Sequence, residues 1–184
     1  MHRLFVAIRP PEPIRKQLLG LMGGLHDLRW QNDNQLHLTL RFIGEVERPM
    51  ADDIAAELGR IRFERLSIAL DGVGKFEKRR NGVLWAGIQP KEQLKALAAK
   101  VERACQSAGV EPEQRAYRPH ITLARWNGRA PDLARFMERH GGLCSEPWEV
   151  REFILFESRL GQSGAHYEPV AEYQLARAGG RSGL

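Results

Sequence analysis

His37-Leu38-Thr39-Leu40 and, 83 residues further on, His120-Ile121-Thr122-Leu123 are two copies of one four-residue pattern. The chain has only two threonines, and each stands two places after a histidine. With six histidines in 184 positions, that coincidence has a chance of roughly one in a thousand, before the matching aliphatic positions are counted. Residues i and i+2 of a strand share a face. His37 is therefore expected beside Thr39, and His120 beside Thr122, with Leu38, Leu40, Ile121 and Leu123 turned into the core. One copy alone would read as a strand whose polar face meets water. Two copies that use every threonine in the chain read as a site, with two similar halves bringing both pairs to one cleft.

The segments around these motifs mix strands with helices. Strands are expected at 3–8, 36–43, 66–70, 83–88, 119–125, 148–160 and 166–175. Helices are expected from Pro13 through Leu25, at 50–61, at 91–108 and at 131–140, from apolar residues at helical spacing. The 91–108 segment is the clearest, with Leu94, Leu97, Ala98, Val101 and Cys105 in one stripe and Gly109 as its stop. Asn81-Gly82 is expected to form a hairpin turn, since both residues tolerate positive φ, and Gly161-Gln162-Ser163-Gly164 a second turn. Hairpins and late strands point to an α+β class with antiparallel pairing rather than a doubly wound parallel sheet. A single domain is expected over 1–177, with 178–184 a frayed tail.

Composition excludes several classes. At 184 residues, 42% of them hydrophobic, the chain can bury a core and is not wholesale disordered. The early apolar run Leu4–Ile8 is too short for a membrane span or a signal-peptide core, which argues for the cytoplasm and against a membrane partner. Cys105 and Cys144 form no CxxC pair and read as reduced, buried thiols. The net charge is +5, carried by 22 Arg and 6 Lys. Arg suits phosphate, but an arginine-rich codon bias in a GC-rich genome is the favoured explanation of such an excess on composition alone. The basic cluster Lys75, Lys78, Arg79 and Arg80 reads as a solvated loop. Gly72-Val73-Gly74-Lys75 lacks the upstream glycine and the following hydroxyl of a phosphate loop.

Two imidazoles across a cleft suit acid–base chemistry at phosphorus. With an unperturbed pKa of about 6.5, one can be neutral and the other protonated near neutral pH. The neutral ring takes a proton from a nucleophile and the charged ring protonates a leaving oxygen. The threonine hydroxyls can donate to phosphate oxygens as charge builds. Neither a metal nor another cofactor is needed, since no carboxylate or thiol sits at ligand spacing beside the motifs. Which histidine is acid and which is base stays open.

At these residues the sequence resembles the two-histidine (2H) phosphoesterase superfamily, and within it the bacterial RNA 2′,3′-cyclic phosphodiesterase family, historically called 2′-5′ RNA ligase (LigT/ThpR-like). The similarity includes Arg3–Ile8, Leu36–Val46, Val83–Gly87, Arg118–Arg125, Phe156–Ser158 and Gly164–Glu168. The resemblance implies a bilobal fold of two antiparallel sheets flanked by helices around a central cleft. It implies hydrolysis of terminal 2′,3′-cyclic phosphates on RNA to 2′-phosphomonoesters, with reversible 2′,5′-joining in some members. His37 and His120 then match the catalytic positions, and Thr39, Thr122 and Arg125 the phosphate-binding ones. Phe42 would stack on the terminal base, and Arg118 would contact substrate or support the second motif. His166 stands where an Arg is common and reads as surface. RNA with cyclic-phosphate or 2′,5′-linked ends, tRNA fragments among them, is the expected partner of a monomer. The alternatives are a 2H esterase for 2′,5′-oligonucleotides or small cyclic nucleotides, and a noncatalytic RNA-end binding protein.

Phe42 and Arg125 each lie five residues after a motif histidine. Strict alternation would bury both. Their proposed roles require each strand to end, twist or bulge after Leu40 and after Leu123. Core packing of Phe42 stays open as well, whereas a buried Arg125 without a partner would be costly.

Overall fold

The computed structural model describes residues 1–162 and 164–179. Ser163 of the expected second turn and 180–184 of the expected tail lie outside the described residues. The elements run β1 (His2–Ile8), α1 (Glu12–Leu19), β2 (Arg29–Trp30), a 3-10 turn (Asp33–Gln35), β3 (Leu38–Val46), α2 (Arg48–Gly59), β4 (Leu66–Lys78), β5 (Asn81–Gln89), α3 (Lys91–Ser107), β6 (His120–Asn127), α4 (Ala134–His140), β7 (Trp148–Val150), β8 (Glu152–Gly161) and β9 (Gly164–Gln174).

The strands hydrogen-bond in the order β7-β4-β5-β6-β3-β1-β8-β9, with β2 added beside β6. Every pairing along that order is antiparallel. The α+β class with antiparallel sheet and flanking helices is as the sequence indicated. The expected two sheets are two half-sheets, β7-β4-β5-β6 and β3-β1-β8-β9, joined where Leu38 pairs with Ile121. Both residues of that join are fully buried, so the two motifs lie side by side at the middle of the molecule.

The join is held from below. Leu38, Leu40, Ile121 and Leu123 all turn into one hydrophobic core with Val6, Leu84, Leu94, Leu97 and Val101. The α3 stripe covers this face, as its 3.6-residue periodicity indicated. Burying an apolar side chain of this size stabilises by about 1.5–3 kcal/mol, so the residues between each His and Thr fix the plane from which the polar pair projects. On the opposite face of β1, Phe5 and Ala7 form a smaller cluster with Ile154, Phe156 and Tyr167.

Several expectations change. The strand expected at 148–160 is two, β7 and β8, which pair with β4 and with β1 and β9 in different half-sheets. The helix expected to run through Leu25 ends at Leu19: Leu21 and Met22 bond back to Leu18 and Leu19 in tighter turns, and the chain then leaves helical conformation at Gly23 and Gly24, with φ of +123° and +74°. The β4–β5 turn is Arg79-Arg80, with Lys78 paired to Asn81 and Arg79 at φ 56°. Asn81 and Gly82 belong to β5. Glycine stands at 82 for packing: a Cβ there would fall 1.9 Å from the Trp126 ring. Cys105 is a buried free thiol, but Cys144 is exposed, on the loop after α4. Backbone bonding to Asp71 holds that loop in place without covering the thiol.

Candidate active site

A bulge in each motif strand builds the site. On β3, Thr39 pairs with Ala7 and Arg41 with Val6, so Leu40 is the extra residue. On β6, Thr122 pairs with Trp85 and Ala124 with Leu84, so Leu123 is the extra residue. Leu40 and Arg41 both turn inward, as do Leu123 and Ala124. The parity of each strand flips at that point. Phe42, 47% exposed, and the exposed Arg125 thereby emerge on the side from which the histidines and threonines project. The geometric condition set by the sequence is met in both motifs at the same position.

The antiparallel pair Leu38–Ile121 also sets who faces whom. His37 and Thr122 lie on one side of the pair, Thr39 and His120 on the other. Each imidazole is placed beside the hydroxyl of the other motif.

The rings are locked alike. His37 Nδ1 lies 2.7 Å from the Gln35 carbonyl oxygen, and His120 Nδ1 lies 2.7 Å from the Arg118 carbonyl oxygen. A carbonyl only accepts, so each Nδ1 carries the proton and each Nε2 is the free base. Gln35 is itself held by a capping box with Asn32, and its side chain donates to the Ala165 carbonyl on β9 at 2.9 Å. Aromatic rings clamp both imidazoles. Phe5 and Tyr167 lie 4.9 and 5.3 Å from His37; Phe76 and Trp85 lie 5.1 and 6.2 Å from His120.

Burial pushes the His37 pKa from 6.5 down to about 4; its backbone hydrogen bond opposes this, and the positive charges of Arg125, His120 and Arg9 reinforce it. Burial lowers His120 too, with Arg125 again adding to the effect. Arg125 contributes to the shift of both rings, in keeping with its emergence on their side of β6. Arg118 is exposed, its guanidinium 5.8 Å from the Phe76 ring, and its carbonyl holds His120. Phe42 receives the Arg3 guanidinium at 5.4 Å. His166 is exposed, as expected. Among the described residues, no group of three or more His, Cys, Asp or Glu could hold a metal ion.

One supporting residue, Arg41, had not been singled out by sequence reasoning. Arg41 is the one charged residue that is buried among the described residues, at 9% exposure. It pairs with Glu102 of α3 and donates to the carbonyls of Phe42 and Glu111 at 2.6 and 2.7 Å. It ties the first motif to the loop that leads into the second. Tyr117 on that loop donates its hydroxyl to the Thr39 carbonyl at 3.0 Å. Arg41 was legible only once the bulge was known, because alternation alone turns it to the open face.

The family model described as the 2′-5′ RNA ligase superfamily matches residues 10–162. An RNA 2′,3′-cyclic phosphodiesterase of Aeropyrum pernix is 37% identical over 151 residues, covering 80% of this chain and 86% of that protein. One of Archaeoglobus fulgidus is 27% identical over 176 residues, covering 94% and 99%. Among solved structures, Escherichia coli LigT complexed with 3′-AMP superposes with a TM-score of 0.78 at 29% identity, over 96% of this chain and 99% of that one.

Proposed function

The chain belongs to the 2′-5′ RNA ligase superfamily, and from that premise we propose that it is an RNA 2′,3′-cyclic phosphodiesterase that opens terminal cyclic phosphates to 2′-phosphomonoesters. One observation supports the mechanism: both imidazoles are held through Nδ1, which leaves two Nε2 atoms free on adjacent strands, each histidine across the register from the other motif's threonine.

His37 is the general base. It lies in the more strongly depressing environment, with Arg125 and Arg9 both acting on it, and is neutral at pH 7. Its Nε2 takes a proton from water as the water oxygen bonds to phosphorus. The bond from phosphorus to the ribose 3′-oxygen breaks, and His120 gives its Nε2 proton to that oxygen. The 2′-oxygen stays on phosphorus. Proton exchange with solvent then restores both rings. Thr39, Thr122 and Arg125 donate to the phosphate oxygens, where charge accumulates. Phe42 stacks on the terminal base, and Arg118 contacts the RNA. A 5′-hydroxyl of a second RNA in place of water gives a 2′,5′-linkage by the same steps. We infer a monomeric, cytoplasmic protein whose single bilobal domain spans 1–177, acting on RNA ends such as those of tRNA fragments.

The test is a short RNA ending in a 2′,3′-cyclic phosphate, assayed in chelator for terminal phosphomonoester. Ring opening is expected. His37→Ala and His120→Ala should each lose about 10²–10⁴-fold. Tight binding without turnover would leave a noncatalytic end-binding protein, and loss of activity in chelator would overturn the metal-free steps. Selective turnover of small cyclic nucleotides or of 2′,5′-linked oligonucleotides would move the assignment to those substrates.

A further inference from the structure

A pocket of about 370 Å³ opens beside the cleft, lined by Phe76, Trp85, Gly87, Lys91, Lys95 and Arg118, with Asp71 its one carboxylate. Its volume is that of a small-molecule site. It shares a wall with the candidate active site. Phe76 and Trp85 are the rings that clamp His120, and Arg118 supplies the carbonyl that holds His120 Nδ1. A ligand in the pocket therefore sits next to whatever phosphate His120 addresses.

Gly87 pairs with His120 across β5 and β6 and lines the pocket. A Cβ there would fall 2.2 Å from the Asp71 carbonyl oxygen, so the close approach of the β4 bulge needs glycine at this point. Lys91 and Lys95 stand one turn apart at the start of α3 and reach the rim. Among the described residues, Lys91, Lys95 and Arg118 form no ion pair. Arg41, Arg60, Arg65, Arg151 and Arg159 all do. The rim thus offers unneutralised positive charge above a base-sized aromatic wall, a combination suited to single-stranded nucleic acid.

We propose that this pocket is a subsite for the nucleotide upstream of the terminal one in the same RNA strand. Lys91 and Lys95 engage the internucleotide phosphate, and the upstream base lies against Phe76 and Trp85. The pocket then makes the protein prefer an oligonucleotide end over a free cyclic mononucleotide. This deepens the phosphodiesterase reading and rests on it.

The experiment compares kcat/KM for a 2′,3′-cyclic mononucleotide, a dinucleotide and a tetranucleotide with the same 3′ end, at several salt concentrations. Wild type should favour the dinucleotide over the mononucleotide by about tenfold at low salt. That advantage should fall with salt with a log–log slope of roughly 0.7 for the added phosphate. The exposed double variant Lys91→Ala/Lys95→Ala should keep mononucleotide turnover and lose the dinucleotide advantage, mainly through KM. Lys91→Arg/Lys95→Arg should retain it. Equal turnover of mononucleotide and dinucleotide by wild type, or equal loss on both by the alanine variant, overturns the subsite while leaving the phosphodiesterase reading intact. No turnover of any cyclic end overturns both.

Discussion

His37 and His120 are held by the same contact, Nδ1 against the carbonyl oxygen two residues upstream, at 2.7 Å in each case. The identical contact gives both rings the same tautomer. Their different surroundings then divide the labour. His37 is taken down to about 4, and His120 is lowered by burial with Arg125 adding to the effect.

A narrow pH profile displaced to the acid side follows for the free enzyme. With the proposed roles, activity needs His37 neutral and His120 protonated. The acid limb of kcat/KM should fall as pH drops toward about 4, and the basic limb should lie below the ordinary histidine value of 6.5. A bound phosphodiester brings negative charge that favours both protonated rings, so the kcat profile should lie at higher pH than the kcat/KM profile. Coincident profiles with chemistry rate-limiting would count against this.

Arg125→Gln should separate charge from shape. Removing the cation relieves one of the influences that lower both imidazoles, so the basic limb of kcat/KM should move up. The maximum should still fall, by about 10²-fold, through loss of a phosphate contact. A fall without any movement of the limb would place Arg125 outside electrostatic reach of the rings.

Stability should also depend on His37. Its folded pKa, about 4, is below the unfolded value of 6.5. Between those values the unfolded chain binds more protons, so folding stability is full above 6.5 and declines as pH falls through this window. The full window amounts to about 3 kcal/mol. His37→Gln should flatten the decline in Tm between pH 6.5 and 4, measured by calorimetry. An unchanged slope would show that other groups carry it.

Gly74→Ala tests the wall behind His120. A Cβ at 74 would fall 2.2 Å from the Trp85 ring. The ring must move, and with it the packing on His120, 6.2 Å away. Activity should fall by about tenfold with the fold retained, and the Trp85 fluorescence should shift. Wild-type turnover would show that the clamp is dispensable.

Arg41→Met should cost about 3 kcal/mol, since it breaks a buried ion pair and strips two carbonyls of their donor. Loop 111–119 loses its tether to the first motif. The kcat should fall even under conditions where the variant is fully folded, checked by urea titration beside the assay. Normal kcat in the folded variant would make Arg41 a stability element only.

The motif strands show how far sequence reading reaches. Threonine scarcity and the period of two picked out His37, Thr39, His120 and Thr122, because side-chain alternation is a local property of an extended chain. Phe42 and Arg125 were readable only as a condition on the strand, since a bulge depends on the neighbouring strand. Asn81-Gly82 misplaced a turn because a glycine required by the Trp126 ring looks, in sequence, like a glycine required by backbone conformation. The clamping rings Phe5, Tyr167, Phe76 and Trp85 carry no local signal, since each comes from a strand distant in sequence from the histidine it packs on.

By itself, then, the sequence determined the α+β class, the two half-repeats and the four polar residues that face one way, all of which follow from alternation and composition within short stretches. Tertiary structure alone decided that Leu38 pairs with Ile121, that each His meets the other motif's Thr, and that Arg41 is buried on Glu102 while Arg125 stays at the cleft. The physical reason is that register, bulges and desolvation are set between strands. A residue's neighbours along the chain define its face, but only its neighbours across the sheet and core define its charge state and its partner.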